Sequence, residues 1–375
     1  MAAHVKRTDA DEHDLIVRRS LDWMMLATVV LCCLGLIMAV SVSGPKPGVG
    51  ALLAMKSQGA RLAVGLFAFL AMAMFPLHLL WRFAGIAFWV STGFVYFAAF
   101  FGTAVNGARR WIHVAGMQFQ PVDVARMFAV IYVARCIAQA TQDGQLQNFR
   151  GTVRIMLPPL VLSVGLLLQP DNGNAVFVLA LCCLMALVAG FSIRHFALVA
   201  IPGLCALIVA ALQKSYVVER LTGFLSPEVG GQVWQSMVAI SSGGLVGQGL
   251  GNGWMKMGFV PEAQNDFVFA IIGEELGLLG SFLVLFLYTT VGVMGLRLVL
   301  RCKDRFLRSL VFGFIVAICT QASINLLVVT GLAPAKGIDL PFLSSGGTSL
   351  VVYLAAVGLI GNAVRADARF YSGRQ

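Results

Sequence analysis

Four clusters of polar residues interrupt an otherwise apolar chain, and their residue types set the chemistry open to it. The first is Gly107-Ala108-Arg109-Arg110-Trp111-Ile112, followed by Gln120-Pro121-Val122-Asp123. Two adjacent guanidinium groups beside a tryptophan suit a phosphate ligand, because their planar forks bind phosphate oxygens bidentately. The same residues would equally serve as an interfacial aromatic anchor with arginines reaching lipid headgroups. Pro121 fits the first turn of a helix, and Asp123 and Arg126, three residues apart, could simply pair. The second cluster, Gln169-Pro170-Asp171-Asn172-Gly173-Asn174, reads as a turn with Asp171 capping the next helix; a carboxylate there could also face a cavity. The third runs from Pro261-Glu262-Ala263-Gln264-Asn265-Asp266-Phe267 to Gly273-Glu274-Glu275-Leu276-Gly277. Asp266 is the last polar residue before an apolar helix, which fits an N-cap. Glu274 and Glu275 lie about two turns further, where carboxylates are costly and face a cavity or a partner. An arginine inside the bundle would satisfy one of them structurally. The fourth, Pro334-Ala335-Lys336-Gly337-Ile338-Asp339-Leu340-Pro341-Phe342-Leu343-Ser344-Ser345-Gly346-Gly347-Thr348-Ser349, is a non-helical loop. Its backbone N–H groups at the start of the next helix could bind an anion.

The elements that carry these clusters are apolar helices. The chain has 375 residues, 59% hydrophobic and only 12% charged, against about 25% charged in soluble domains. Apolar stretches of membrane-spanning length recur from Leu21 to Val364 and leave no room for a large soluble domain. The spans expected are 21–43, 59–80, 83–101, 121–140, 153–169, 173–191, 196–212, 267–296, 309–330 and 348–364. The fold class is therefore all-α, a polytopic membrane protein of about ten helices, with a long extracytoplasmic loop between spans 7 and 8. An N-terminal tail (1–20) and a C-terminal tail (365–375) flank the membrane domain (21–364). The N-terminus lacks a short apolar region with a small-residue cleavage site, so the first apolar run reads as a retained span.

The net charge of +10 is a topology signal. With both termini cytoplasmic, about sixteen cations fall inside and about nine outside, and the opposite orientation loses on this count. No basic face with interleaved aromatics exists, which argues against a nucleic-acid partner. The eight cysteines contain no C-x-x-C, and most sit in apolar runs as small buried thiols. All four polar clusters fall on the outer side, where loops carry function.

In this order and spacing the clusters resemble the SEDS family (shape, elongation, division and sporulation) of peptidoglycan polymerases. Its members show G-A-R-R-W-I with Q-P-S-E, then Q-P-D-x-G-T, then P-E-A-H-T-D-F-I-F-A-x-x-G-E-E-L-G, then L-P-F-x-S-Y-G-G-S-S. Pro334-Ala335-Lys336-Gly337 is similar to the P-T-K-G of the division (FtsW) type more than to the elongation (RodA) type. The chain departs from the pattern at Gln264-Asn265, where His-Thr is usual, at Ser345 for Tyr, and at Asp123 and Arg126 for Glu and Lys. It offers only Pro227-Glu228-Val229-Gly230-Gly231-Gln232 for D-P-x-G-x-G-Y-Q.

The resemblance implies a glycosyltransferase that polymerises lipid II on the outer face of a bacterial cytoplasmic (inner) membrane. It makes Asp266 the catalytic residue. It makes Arg109, Arg110, Trp111, Lys336, Ser344, Ser345, Gly346 and Gly347 substrate-binding. Asp171, Glu274, Glu275, Gln120 and Pro121 become structural or supporting. A divalent cation, Mg2+ or Mn2+, could assist the leaving diphosphate; no organic cofactor is implied. The implied partners are a class B penicillin-binding protein, divisome or elongasome proteins, and membrane lipids. A flippase or transporter for a lipid-linked precursor, and a scaffold that only recruits a transpeptidase, stay open as alternatives.

Overall fold

The computed structural model describes residues 2–43, 50–105, 108–114, 117–212, 222–224 and 231–372. Gly107 and the Pro227-Glu228-Val229-Gly230 stretch lie outside them. The elements are α1 (Ala2–Ser43), α2 (Ala51–Met74), α3 (Leu77–Phe101), β1 (Thr103–Val105), β2 (Ala108–Val114), β3 (Met117–Phe119), α4 (Pro121–Gln142), α5 (Phe149–Leu168), α6 (Asn172–Val188), α7 (Ile193–Leu212), α8 (Gln232–Ser242), α9 (Val268–Arg301), α10 (Arg305–Val329) and α11 (Gly347–Ser372). Nine of the ten apolar stretches read from the sequence fall largely on one helix each, and the stretch 59–80 straddles the break between α2 and α3. Among the described residues seven helices are long and apolar enough to cross a membrane, and the apolar helices Asn172–Val188 and Ile193–Cys205 are shorter. The chain is a multi-pass membrane protein. α4, which carries Asp123, Arg126 and Arg135, is not among the seven. It packs against α3, α5, α6, α10 and α11, so its polar residues meet protein instead of lipid.

Three local features differ from the sequence expectation. The second and third helices break at Phe75–Pro76, with Pro76 at the N-cap of α3, not at Trp81–Arg82. Proline has no N–H to continue α2 and pushes the residue before it to extended backbone. The loop after α3, expected on the outer side, is not irregular: β1, β2 and β3 form an antiparallel meander in the order β1-β2-β3. And the expected C-terminal tail from 365 continues as helix to Ser372. There Asp367 accepts the backbone N–H groups of Lys303 and Asp304, tying α11 to the α9–α10 connection.

The long loop before α9 is partly built. α9 breaks at Gly277, whose φ of 65° is open to glycine at no steric cost. The break separates the carbonyls of Glu274 and Glu275 from the N–H groups of Leu278 and Leu279, their ordinary i to i+4 partners. Loop 243–251 replaces both. Gln248 and Gly249 donate to the two carbonyls, while the carbonyls of Gly244 and Leu245 accept from Leu278 and Leu279. These four backbone groups at the kink of a membrane helix thus stay paired, as an apolar surrounding requires.

Candidate active site

α2 packs on α11 and α1, whereas α3 packs on α4 and α5. The two consecutive helices therefore diverge after the Phe75–Pro76 break, and a cleft of about 2920 Å³ opens beside them. One end is an apolar slot lined by Ala60 and Val64 of α2 and Phe83, Ile86, Val90 and Phe94 of α3. From Phe83 to Phe94 the helix rise gives a length of about 16 Å. The other end is polar and gathers residues from all four sequence clusters: Arg110, Asp171, Asp266 and Lys336 among them.

The strand β2 splits the arginine pair at a register irregularity: Arg109 pairs with Ala104 and Trp111 with Thr103, so Arg110 is the extra residue between them, and such a residue re-aims a side chain. Arg110 enters the cleft. Its guanidinium donates to the carbonyl of Pro170 and lies 3.9 Å from the Asp171 carboxylate. Arg109 turns away and donates to the carbonyl of Phe100, at the end of α3, at 2.9 Å. A cation there satisfies a helix C-terminus, so Arg109 does not share the cleft with Arg110. Trp111 lines the cleft, and the Gln120 N–H donates to Thr348. Pro121 is the buried first residue of α4.

Asp171 caps α6, accepting from the Asn174 N–H and from the Asn174 side-chain amide at 2.8 Å. Asp123 and Arg126 pair at 3.5 Å. Arg126 is the hub of the polar end: it donates to Gln321, Tyr353 and Asn174, and stacks over the Phe177 ring at 4.8 Å.

Asp266 lies one residue before the N-cap position of α9, which falls on Phe267. A Cβ built on Gly337 would come within 2.8 Å of its Oδ2, so the carboxylate rests against the Gly337 backbone. Lys336 crosses the first turn of α6, where a Cβ on Gly173 would strike its Cε at 1.7 Å. Ser345, Gly346 and Gly347 line the cleft. Ser344 does not: it is buried, its hydroxyl donating to the Asn265 carbonyl and accepting from the Leu340 N–H. Its part is to brace the loop, not to face a ligand.

Glu274 and Glu275 also stand away from the cleft. Glu274 accepts the N–H groups of Trp254 and Met255. Glu275 accepts from Ser41, from the Gly251 N–H, and from Lys256 at 2.6 Å. The expected arginine inside the bundle is a lysine from the preceding loop. Lys256 is 3% exposed, and its short tether explains the choice: the built loop already lies against the α9 kink.

Sequence reading missed three contributors. Arg61 of α2 donates to the Ser345 carbonyl at 2.7 Å; a lone arginine inside an apolar stretch was the available signal. Asp339 accepts from Ser349 at 2.9 Å. Burial holds its carboxyl above the ordinary value, while the Ser349 hydroxyl and Arg126 pull it down and Glu262 adds to the rise. Asn325 of α10 is nearly fully buried and bonds to the backbone of Asp266 and Ile338; a mid-helix amide among apolar residues gave only a weak hint. For a divalent cation the fit is poor. Among the described residues no three carboxylate, imidazole or thiol groups converge as a metal cage. Among the described residues, the positive groups facing the cleft are Arg61, Arg110, Arg126 and Lys336.

Comparison with known proteins matches residues 22–369 to the FtsW, RodA and SpoVE family model, described as cell cycle protein. The chain is 34% identical over 353 residues to the probable peptidoglycan glycosyltransferase FtsW of Geobacter sp. (strain M18), covering 90% of this chain and 95% of that one. It is 37% identical over 273 residues to the stage V sporulation protein E of Bacillus subtilis (strain 168), covering 70% and 73%. Among solved structures it is similar to a chain of a peptidoglycan synthase complex that coordinates polymerization and crosslinking, with TM-score 0.73, 26% identity and coverage of 92% and 97%. It is also similar to the rod shape determining protein RodA of Thermus thermophilus, with TM-score 0.67, 25% identity and coverage of 92% and 96%.

Proposed function

The chain belongs to the FtsW, RodA and SpoVE family of cell cycle proteins, and from that premise we propose that it is a peptidoglycan glycosyltransferase polymerising lipid II, of the division (FtsW) type. The observation that carries this reading is the two-ended cleft. A slot between α2 and α3 suits a polyprenyl tail, and the polar end suits a diphosphate-linked sugar.

In this reading the Asp266 carboxylate is the general base. It takes the proton from the sugar 4-hydroxyl of the acceptor, a poor nucleophile at neutral pH. The oxygen attacks the donor's anomeric carbon, and the bond to the lipid diphosphate breaks. Arg110 and Lys336 stabilise the charge on the departing diphosphate. Asp171 and Asn174 hold the turn beneath Arg110 and connect it to Arg126. No step is routed through a metal.

The altered Gln264-Asn265 pair supports catalysis over a scaffold-only role. Their side chains are used elsewhere, Gln264 on Ser43 and Asn265 on Glu262. Their backbone carbonyls accept from Ser345 and Ser344 and hold the segment before Asp266. The protein crosses the cytoplasmic (inner) membrane ten times, with both termini cytoplasmic and the cleft's polar end outside, consistent with the distribution of positive charge. The membrane domain is 21–364, its flanks the short tails. A class B penicillin-binding protein is its partner, within the divisome. The test is glycan chain formation from lipid II by the purified protein, with and without such a transpeptidase. Polymer is expected, and none in either condition would refute the reading. Transport of a labelled lipid-linked precursor across vesicles without polymer would favour a flippase.

A further inference from the structure

We propose that Asn325 is a positioning residue for glycosyl transfer, fixing Asp266 against the Lys336–Ile338 segment; the proposal rests on the polymerase reading above. Asn325 lies near the C-terminal end of α10 and is 1% exposed. Its side-chain NH2 donates to two carbonyls, Asp266 at 2.7 Å and Ile338 at 2.6 Å. These carbonyls belong to different stretches of chain, the entry to α9 and the loop before α11. One amide therefore holds together the backbone on both sides of the contact between the Asp266 carboxylate and Gly337.

The neighbouring bonds show why this tether matters. Three successive carbonyls before α9 each take a donor from outside that helix. Gln264 accepts from the Ser345 N–H, Asn265 from the Ser344 hydroxyl, and Asp266 from Asn325. The first two bonds come from a single loop. Only the third adds α10, which belongs to the packed bundle. Gln321, one turn earlier on α10, donates to the Asp339 carbonyl at 2.9 Å, so the same helix face suspends the loop at two successive residues. Asparagine is specific to the task. A hydroxyl supplies one donor where two acceptors wait, and a carboxylate would set oxygen against two carbonyl oxygens. Displacements near 1 Å at a reacting group can cost about a hundredfold in rate.

Two measurements on the full-length protein test the tether. The first is lipid II polymerisation by Asn325→Ala and by the isosteric Asn325→Asp. Turnover is expected to fall about ten- to a hundredfold, with the half-saturating lipid II concentration unchanged. A residue that serves the fold alone would lower thermal stability while leaving turnover per folded molecule intact, and that result would overturn the proposal. The second needs no activity: disulfide formation between cysteines introduced as Asp266→Cys and Gly337→Cys. Cross-linking is expected to be fast with Asn325 present and several-fold slower with Asn325→Ala. An unchanged rate overturns the proposal whether or not the wild-type chain polymerises lipid II. A wild-type chain that makes no polymer, while cross-linking still depends on Asn325, removes the polymerase reading and leaves the tether. Asn325→Ser, which keeps one donor, guards against misfolding. Failure of Asn325→Ala, Asn325→Asp and Asn325→Ser alike to yield monodisperse protein would also overturn the proposal, in favour of a fold-only role.

Discussion

Adjacent arginines with identical chemistry are expected to behave differently, because Arg110 lines the cleft while Arg109 bonds to the end of α3. Arg110→Lys keeps the charge but loses the fork that reaches both the Pro170 carbonyl and the cleft. Losing a charge-assisted bond to a diphosphate costs about 1.5–3 kcal/mol, which is roughly ten- to a hundredfold in rate. The Arg110 side chain is 31% exposed, and solvent screens part of that interaction. The loss is therefore set at the lower end, about tenfold. Arg109→Lys touches only the end of α3, where its bond to the Phe100 carbonyl at 2.9 Å contributes about 0.5–1.5 kcal/mol at most. It should shift thermal stability slightly and leave polymerisation within about twofold. The assay is the initial rate of lipid II polymerisation at saturating substrate, beside the melting temperature of each purified variant. Equal losses of activity for the two substitutions would refute the assignment of the two side chains to different surroundings. Loss at Arg109 alone would reverse it.

Three further outcomes follow from the same geometry. Asp266→Asn should lose activity about a hundredfold, as Asp266→Ala does, because an amide accepts no proton; near-normal polymerisation by the Asn variant would move the base to Glu262. Lys256→Met should destabilise the protein by about 3–5 kcal/mol, since it leaves Glu275 buried without its cationic partner, and an unchanged melting temperature in detergent would contradict the role given to this pair. For Asp339→Asn the sign follows from the raised carboxyl. The folded state holds a proton that the unfolded state has released, so wild-type stability falls as pH climbs from the ordinary carboxylate value through the raised one. The variant should melt higher than wild type at neutral pH and lose that advantage as pH is lowered, and parallel curves would refute the burial argument.

The apolar helices were legible because each is an apolar run bounded by polar residues, and length against bilayer thickness is a strong constraint. The Asp171 cap was legible too, since an aspartate before Asn172-Gly173-Asn174 has one common local use. The Phe75–Pro76 break was less so: hydropathy placed the turn at Trp81–Arg82, where the charge lies, while the backbone turned at the proline. The meander at Thr103–Phe119 was missed because its strands β1 and β3 have three residues each, too short for an alternation pattern to register.

What stayed hidden was carried by backbone groups. Sequence comparison made Gln264-Asn265 the most doubtful positions, because side chains that differ from a family pattern suggest altered chemistry. The structure assigns the work there to the carbonyls of those residues, and a carbonyl is the same in glutamine, asparagine, histidine or threonine. The donors to these carbonyls and to that of Asp266, Ser345 N–H, Ser344 and Asn325, lie about 60 to 80 positions away in the chain. No local spacing rule links them. Glu274 and Glu275 show the converse, in the structural role expected of them. Their side chains were conspicuous, yet they serve the loop that repairs the Gly277 break. A carboxylate deep in an apolar helix marks a partner as readily as a cavity, and here the partners are backbone N–H groups and Lys256. Residue type therefore located the cleft's charged groups, but only the path of the backbone decides which of them face it.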